Sequence, residues 1–292
     1  MKPLVLITGA TGQLGRELRV AFEGVDKVDC KFVDRENFPL DRVEEIQAKL
    51  HTYKPNYIIN AAAYTAVDRA EDEFELANRV NHLAVKEMAI YSQQTDCKLL
   101  SISTDYVFDG EGNRAWEEDD LVKPINVYGK TKALGELAIL KENKNAIIIR
   151  TSWVYSTFGN NFVKTMLRLM SEREEIRVVD DQIGSPTYAR DLAFMIKGII
   201  LGEKWIGGVY HYANEGKVSW FDFAAAIKKL ANLSCSILPI ASVEFPTVAQ
   251  RPKFSPLQNS KIKSTFGIQI PKWETSLEKM LIEMGAINNK SI

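Results

Sequence analysis

The sequence predicts an α/β protein with a doubly wound parallel sheet and a smaller, mixed α/β C-terminal region. In the first half, short runs that are apolar throughout alternate with segments of helical periodicity. This alternation is typical of parallel strands that helices cover on both faces. The first apolar run, residues 4–7, leads directly into a glycine-rich loop and then a helix over 13–22. Right-handed crossovers between such strands produce a doubly wound sheet.

The remaining elements are read in chain order. In the first half we predict strands over 28–33, 56–60, 97–103 and 146–150, and helices from an N-cap at Asp41 through Leu50, over about 74–94 and over 126–140. In the second half, which is less regular, we predict helices over 161–172, 189–201, 219–231 and 273–284, and strands over 176–179 and 207–213. Segment 239–258 contains four prolines and is predicted to be a surface or ligand-facing loop.

Composition excludes several classes of protein. The 292 residues carry 37 basic and 38 acidic side chains, so the net charge of −1 argues against binding nucleic acid through bulk charge. The three cysteines lie far apart and the three histidines form no metal-ligand spacing, so we expect neither a disulfide framework nor a metal site. No apolar run approaches the length of about 18 residues that spans a membrane, and we expect a cytoplasmic protein.

The loop after the first strand contains three candidate cofactor-binding glycines, Gly9, Gly12 and Gly15. Glycines let the backbone turn tightly and approach a pyrophosphate, while the helix that follows offers free N–H groups at its positive end. The spacing is GxxGxxG rather than GxGxxG, but its position between strand and helix is the one that dinucleotide binding requires. The loop therefore predicts a nicotinamide cofactor.

Asp34 and Arg35 follow the second strand and are candidates for contact with the adenosine ribose. An acidic residue there accepts hydrogen bonds from ribose hydroxyls, whereas an arginine pairs with a 2′-phosphate. Because both are present, NAD and NADP both remain open, with NADP slightly favoured by Arg35.

A hydroxyl and a tyrosine–lysine pair are the candidate catalytic groups. Thr104 follows the fourth strand, where parallel strands present ligands, and Asp105 beside it is a further substrate-binding candidate. Tyr128 and Lys132 lie four residues apart and share one face of a predicted helix. An ammonium group near a phenol is expected to lower the pKa of the tyrosine. The spacing of Tyr128 and Lys132 alone does not identify a catalytic site. The order of a glycine loop, Thr104 and then this pair along the chain indicates ketone–alcohol redox chemistry.

These patterns predict two domains. Residues 1–152 would form a Rossmann NAD(P)-binding domain to which 189–217 return, and residues 153–188 and 218–292 would form the substrate domain.

The chain resembles the extended short-chain dehydrogenase/reductase superfamily and, more narrowly, the dTDP-4-dehydrorhamnose reductase family. The resemblance covers nearly the whole chain and rests on the segments TGATGQLG (8–15), NAAAYTAVDRAE (60–71), STDYVFDG (103–110), NVYGKTK (126–132), RTSWVY (150–155), NNFVKTML (160–167), DQIGSPT (181–187) and QRPKFSPL (250–257). It implies NADPH- or NADH-dependent reduction of the C4 ketone of dTDP-4-dehydro-β-L-rhamnose to dTDP-L-rhamnose. The substrate is therefore a small nucleotide sugar, and a homodimer remains open.

The resemblance also implies roles for individual residues. Cofactor contacts would come from Gly12, Gln13, Leu14, Asp34, Arg35, Ala61, Ala62, Ala63, Tyr128 and Lys132. Substrate contacts would come from Thr65, Val67, Thr104, Tyr128, Trp153 and Arg251. Thr104, Tyr128 and Lys132 would form the catalytic trio. One departure is that Pro39-Leu40 stands where the family has an acidic residue near the adenine, which leaves the Leu40 backbone N–H as the contact.

Alternative functions remain at this stage. Catalytic residues do not distinguish one nucleotide-linked 4-keto deoxysugar from another. A non-catalytic NADP-binding regulatory subunit, like that of methionine adenosyltransferase, has the same resemblance. A dehydratase is disfavoured because Tyr106, not glutamate, follows Asp105, whereas an epimerase that oxidises its sugar transiently remains open. Asn81 has two interpretations, as a support for the active site through backbone hydrogen bonds or as a plain helix-surface residue.

Overall fold

The computed structural model describes residues 2–288. Its strands are β1 (Leu4–Thr8), β2 (Asp29–Val33), β3 (Tyr57–Asn60), β4 (Lys98–Thr104), β5 (Ile147–Thr151), β6 (Val154–Tyr155), β7 (Glu175–Val179), β8 (Ile183–Gly184), β9 (Thr187–Tyr188), β10 (Gly208–His211), β11 (Val218–Ser219) and β12 (Ser236–Ile240). Its α-helices are α1 (Gln13–Phe22), α2 (Val43–Tyr53), α3 (Val67–Ala70), α4 (Phe74–Asn78), α5 (Ala84–Gln94), α6 (Val127–Glu142), α7 (Phe162–Glu172), α8 (Ala189–Leu201), α9 (Trp220–Leu230), α10 (Ser260–Phe266) and α11 (Trp273–Glu283).

A six-stranded sheet with the order β10-β5-β4-β3-β1-β2 forms the centre of the molecule, and all its pairs are parallel. The chain runs outward from β1 to β2 on one side and to β3, β4 and β5 on the other. A crevice therefore opens at the carboxyl ends of the strands, where the direction of winding changes. The predicted fold class is confirmed.

Strands β1, β3 and β5 are mostly apolar because both faces of the sheet are buried there, whereas the edge strand β2 exposes Asp29 and Lys31. Val5 and Ile7 belong to an apolar cluster on one face, together with side chains of α1 and α8. Leu6, between them in sequence, belongs to a second cluster on the other face with side chains of α2 and α5. Successive side chains of a strand point to opposite faces, so an apolar run without alternation is what two covered faces require.

A third apolar cluster lies in the C-terminal part and draws on residues from Tyr155 to Tyr188 and from Val218 to Leu281. We propose that this cluster is the core of the second domain and that the division near residue 152 separates it from the sheet. Helix α8 packs in the first apolar cluster and strand β10 pairs with β5 of the central sheet. Both elements lie in segment 189–217, which we propose returns to the first domain. Helix α10 departs from the expected boundaries, because its Ile262 packs in the first cluster.

The predicted cap of α2 is wrong. The helix begins at Val43 with Arg42 as its N-cap residue, and no side chain caps it. The Asp41 carboxylate instead accepts a hydrogen bond from Arg35 Nη2 at 2.8 Å. A local ion pair therefore replaces the expected cap.

The predicted helix over 74–94 is interrupted. Between α4 and α5, residues Arg79–Leu83 form a π-helical turn, which contains Asn81. Helix α6 approaches this turn so closely that a Cβ on Gly135 would lie 2.2 Å from the Asn81 carbonyl oxygen. Segment 239–258, predicted to be loop, begins with the end of β12 and a short 3₁₀ turn over Ser242–Glu244. Among residues 2–288, no helix is long and apolar enough to cross a bilayer.

Candidate active site

A cavity of about 720 Å³ opens at the carboxyl ends of the central strands. Of the nineteen residues that the sequence predicts for the site, seventeen line it: Gly9, Gly12, Gln13, Leu14, Asp34, Arg35, Leu40, Ala61, Ala62, Ala63, Thr65, Val67, Thr104, Asp105, Tyr128, Lys132 and Trp153. Gly15 and Arg251 are not part of the lining. The fold thus brings residues from distant parts of the chain to one space.

The glycine loop is compact because two of its glycines allow close backbone approaches. Gly9 has a φ of 71°, in the left-handed region, and its carbonyl oxygen accepts a hydrogen bond from the Gly12 N–H at 2.9 Å. A Cβ on Gly15 would lie 2.0 Å from that same oxygen. Gly15 therefore acts by letting α1 pack against the loop, and the first turn of α1 directs its N–H groups towards the crevice.

Gly15→Ala is expected to weaken NADPH binding by about 10-fold or more and to lower the free energy of unfolding by about 1–3 kcal/mol, since the loop must shift to admit the methyl group. Titration of cofactor fluorescence and urea unfolding measure the two effects. Gly198→Ala, inside α8 with nothing within 4 Å of the new methyl group, is the control and should leave binding unchanged. Wild-type affinity in Gly15→Ala would contradict this role of the loop.

The side chain of Gln13 connects the loop to the C-terminal part of the chain. Its Nε2 donates to the carbonyl oxygen of Val154 at 3.4 Å, and its Oε1 accepts from Asn161 Nδ2 at 3.0 Å. Asn161 is the N-cap residue of α7. A group bound at the loop therefore lies next to contacts with the segments that form the third apolar cluster.

Asp34 and Arg35 lie at the far end of the cavity. Asp34 Oδ1 accepts hydrogen bonds from the N–H groups of Glu36 and Asn37, both at 3.1 Å. The contacts with the Asn37 backbone and side chain hold the pKa of Asp34 below its usual value. Arg35 is largely exposed and paired with Asp41. The region offers both an ionised acceptor and a cation, so it does not select between NAD and NADP.

The three alanines after β3 border the middle of the cavity. The Ala62 N–H donates to the Thr8 hydroxyl at 3.3 Å, and this hydroxyl donates to Asn60 Oδ1 at 2.7 Å. These bonds fix the backbone beside the glycine loop, and small side chains leave room for a flat ring against it. Leu40 has a buried side chain, which leaves its backbone as the group available to an adenine.

Thr104, Tyr128 and Lys132 converge at the end of β4. The Thr104 hydroxyl donates to Asp105 Oδ1 at 3.0 Å and accepts from the Tyr106 N–H at 3.2 Å. Desolvation raises the pKa of Tyr128 to about 12, and a hydrogen bond with Thr104 lowers it in part. Lys132 Nζ donates to the Ile102 carbonyl oxygen at 2.7 Å. Burial lowers the pKa of Lys132 to about 8, which the Glu136 carboxylate opposes.

One expectation about this trio is wrong for this structure. Lys132 was expected to lower the pKa of Tyr128, yet desolvation dominates and the pKa rises. The ammonium group is directed at a backbone carbonyl of β4. At neutral pH the phenol is therefore protonated, which is the form that a proton donor requires.

Asp105 carries the site's unsatisfied polar atom. The residue is 2% exposed, and its Oδ2 has no partner with hydrogen-bond geometry among the described residues. Burial raises the pKa of Asp105 to about 6, although the hydroxyls of Ser255 and Thr104 lower it in part. An acceptor that lines the cavity without a partner suits a hydroxyl group of a ligand.

Asp105→Asn is expected to stabilise the protein at neutral pH. The pKa of Asp105 is about 6 in the folded protein against a usual 3.8, so folding binds a proton and the carboxylate costs stability above both values. The variant should exceed wild type by about 1–3 kcal/mol near pH 7.5, and the difference should shrink as the pH falls below about 6 and vanish near pH 3, below both pKa values. Urea unfolding across this range measures it. Asp26→Asn, at a fully exposed side chain, is the control, and a pH-independent difference for Asp105→Asn would contradict the expectation.

A buried ion pair lies below the trio, and sequence reasoning missed it. Arg150 on β5 donates to both carboxylate oxygens of Glu136, with Nη2–Oε2 at 2.7 Å and Nε–Oε1 at 2.9 Å. Ser103, next to Thr104, donates to the same carboxylate. Glu136 lies one helical turn after Lys132, and this spacing of four residues was the one available signal.

Asn81 is buried and supports the loop beside the cavity. Its Oδ1 accepts from the Tyr64 N–H at 2.9 Å, and its Nδ2 donates to the Tyr64 carbonyl oxygen and to the Thr131 hydroxyl, both at 3.1 Å. Of its two interpretations, the structure matches the one with backbone hydrogen bonds. Tyr64 itself lines the cavity.

Arg251 lies behind the lining. Its Nη1 and Nη2 donate to the two carboxylate oxygens of Asp68 at 3.0 and 2.7 Å, and Nη1 also donates to the Ala249 carbonyl oxygen. Asp68 follows the lining residue Val67. Arg251 thus joins segment 239–258 to α3 at the rim of the cavity. Residues 2–288 contain no group of three His, Cys, Asp or Glu side chains arranged to hold a metal ion.

Comparison with known proteins decides the family. The model of the RmlD substrate binding domain family matches residues 1–286. The chain belongs to the RmlD family. A dTDP-4-dehydrorhamnose reductase from Aggregatibacter actinomycetemcomitans is 41% identical to it over an alignment of 287 residues, and the match covers 94% of this chain and 97% of that protein. The resemblance found in the sequence is confirmed.

Solved structures of RmlD relatives have the same fold. The crystal structure of dTDP-4-dehydrorhamnose reductase from Bacillus anthracis in complex with NADP has a TM-score of 0.92 and 42% identity, and covers 97% of this chain and all of that one. A dTDP-4-dehydrorhamnose reductase structure from Clostridium acetobutylicum has a TM-score of 0.93 and 38% identity, with 97% and 99% coverage. The parallel-sheet fold of this RmlD chain therefore agrees with experiment on its relatives.

Proposed function

We propose that this chain reduces the C4 ketone of dTDP-4-dehydro-β-L-rhamnose to give dTDP-L-rhamnose, with NADPH or NADH as cofactor. One observation carries the proposal: Thr104, Tyr128 and Lys132 meet in the cavity that the glycine loop also lines. Relatives that are about 40% identical over nearly the whole chain have this activity in their names. The chain is accordingly an oxidoreductase of nucleotide-sugar metabolism.

The cavity fits a dinucleotide. Gly9, Gly12, Gln13 and Leu14 would hold the pyrophosphate, since Gly9 and Gly12 line the cavity with backbone that carries no side chain. Asp34, Arg35 and the Leu40 backbone would contact the adenosine, and Ala61, Ala62, Ala63, Tyr128 and Lys132 the nicotinamide side. Gly15 would support the loop from behind. When bound, the cofactor supplies the hydride, while the protein supplies position and electrostatics.

Side chains of this protein would then stabilise and neutralise the negative charge that develops on the ketone oxygen. The Tyr128 hydroxyl donates a proton to this oxygen, because its raised pKa keeps it protonated until the oxygen becomes basic. The Thr104 hydroxyl donates a hydrogen bond to the same oxygen and supports the charge where it forms. Lys132, held at the Ile102 carbonyl, places a cation beneath the site.

The sugar nucleotide would lie between Thr104, Tyr128 and Lys132 and the part of the chain that contains the third apolar cluster. Thr65, Val67 and Trp153 line the cavity and would contact the sugar, and the unpartnered Oδ2 of Asp105 would accept a sugar hydroxyl. Arg251 would act at the diphosphate end. It reaches that end by exchanging its Asp68 partner for phosphate oxygens, for which its fork of donors is suited.

The substrate assignment is tested by the product. With a nicotinamide cofactor that carries deuterium at the transferred position, reduction of the dTDP-linked 4-keto sugar should place deuterium at C4 of dTDP-L-rhamnose, as read by NMR. A UDP-linked 4-keto sugar is assayed in parallel. A faster reaction with another nucleotide-linked ketone would move the assignment to that sugar. Tight cofactor binding without reduction of any of them, together with a stoichiometric protein partner, would favour a regulatory subunit.

We also propose that the protein is a cytoplasmic homodimer that binds no nucleic acid. The near-neutral net charge supports the last point. Sedimentation equilibrium tests the oligomeric state, and cell fractionation tests the location.

A further inference from the structure

Trp153 has a strained backbone at the edge of the cavity. Its φ is 45°, in the left-handed region that a bulky residue rarely adopts. Such a conformation persists only where surrounding contacts enforce it, and it is found most often at functional sites. The contacts that enforce it here come from the DQIGSPT segment (181–187) and from Trp220, neither of which has a role in the chemistry described above.

Trp220 stacks on Trp153. Their ring centroids lie 3.4 Å apart with an angle of 6° between the planes, and both side chains line the cavity. Phe162 of α7, which packs against the third apolar cluster, contacts Trp220 with ring centroids 4.5 Å apart. The Trp153 indole therefore packs on the Trp220 indole, and Trp220 in turn packs on the third apolar cluster.

Gly184 leaves the space that the Trp153 indole occupies. A Cβ on Gly184 would lie 2.4 Å from Trp153 Cε2 and 2.6 Å from Nε1. The glycine is needed for this close approach rather than for its φ. A side chain here would displace the indole, because Trp220 limits its movement.

Segment 181–187 connects the two tryptophans. Strand β8 pairs antiparallel with β11, which ends immediately before Trp220. The Thr187 N–H donates to the Trp153 carbonyl oxygen at 3.2 Å, and β9 pairs in parallel with β6 just after Trp153. The segment thus fixes the backbone on both sides of the stack.

We infer that Gly184, Thr187 and Trp220 form a mount that holds Trp153 in one orientation, so that Gly184 and Trp220 are positioning residues for the sugar of the substrate. The inference deepens the proposed function and rests on it. With the indole ordered before the substrate arrives, binding does not bear the cost of ordering it. The sugar then meets an indole of fixed orientation in the cavity that Tyr128 also lines, and displacements of about 1 Å there are costly to the chemistry.

The test separates positioning from plain packing. Trp220→Leu and Gly184→Ala should each raise KM for the keto sugar by about 10-fold, while the Kd for NADPH stays within about 2-fold. Trp220→Phe should recover most of the loss, because it restores an aromatic face. In a Trp153→Leu background the effect of Trp220→Leu should disappear, since the residue acts through Trp153. Gly198→Ala and Trp205→Phe, remote from the cavity, are the controls.

The inference fails if folded Trp220→Leu keeps the wild-type KM, or if its effect persists unchanged in the Trp153→Leu background. Should Gly184→Ala not fold, the Trp220 variants decide alone. The assay uses whichever nucleotide-linked ketone the wild type reduces best. An active wild type with unaltered Trp220 variants would refute the mount alone, whereas a wild type that reduces none of the ketones would refute the proposed function and the mount with it.

Discussion

Tyr128→Phe is expected to lower kcat by about 100- to 10,000-fold, the range for loss of a positioned general acid. The phenol lines the cavity together with Thr104, and its pKa of about 12 keeps the proton in place at neutral pH. Removal of one oxygen takes away the proton donor but leaves the ring, which packs edge-on against Tyr106 with centroids 5.7 Å apart. Steady-state rates over a range of sugar concentrations measure the loss.

Cofactor affinity distinguishes this loss from damage to the fold. Tyr128→Phe should bind NADPH within about 3-fold of wild type, because the glycine loop and its helix are unaltered. Tyr57→Phe, on the far end of β3, is the matched control and should keep wild-type kcat. Near-wild-type turnover in Tyr128→Phe would remove the tyrosine from its assigned role.

Arg150→Met is expected to lower the free energy of unfolding by about 3–5 kcal/mol, the usual cost of leaving one charge of a buried pair uncompensated. Arg150 is 3% exposed and Glu136 4% exposed, and three charge-assisted hydrogen bonds join them. The guanidinium also contacts His211 Nε2 at 3.3 Å. Burial lowers the pKa of His211 to about 3, so this histidine is neutral and does not replace the lost cation.

A second substitution tests the cause of that loss. Arg150→Met with Glu136→Met should recover part of the stability, since replacing both partners by apolar groups removes the unpaired charge. Arg168→Met, which breaks an exposed pair with Glu172, should cost at most about 1 kcal/mol. Equal losses at the buried and the exposed pair in urea unfolding would contradict the account of Arg150.

The central sheet and the glycine loop could be predicted because their signals are local. The strand at 146–150 is marked by a continuous run of apolar residues. The pattern of a strand, a glycine-rich loop and a helix is likewise visible within about twenty consecutive residues. The π-helical turn at Asn81 could not be predicted, because the close packing of Gly135 of α6 against it is a tertiary contact. Asp41 was misassigned for a different reason: Arg35, which lies nearby in the sequence, competes for its carboxylate.

The site was predicted in its residues more than in its electrostatics. The spacing of Tyr128 and Lys132 predicted that both residues belong to the site, and both line the cavity. The same spacing carries no information about burial, and burial is what raises the pKa of the Tyr128 phenol. The pair of Glu136 and Arg150 joins a helix to a strand, and the stack of Trp153 and Trp220 joins segments 67 residues apart. Such contacts follow from the assembled fold rather than from any motif.

The most direct test of the central claim is the rate of NADPH absorbance loss with dTDP-4-dehydrorhamnose, generated in place by the preceding enzymes. Wild type and Tyr128→Phe are assayed side by side, with NADH in a parallel series. The account predicts rapid oxidation by wild type and at least about 100-fold slower oxidation by Tyr128→Phe. Binding of cofactor without oxidation by wild type, or equal rates for the two proteins, would contradict it.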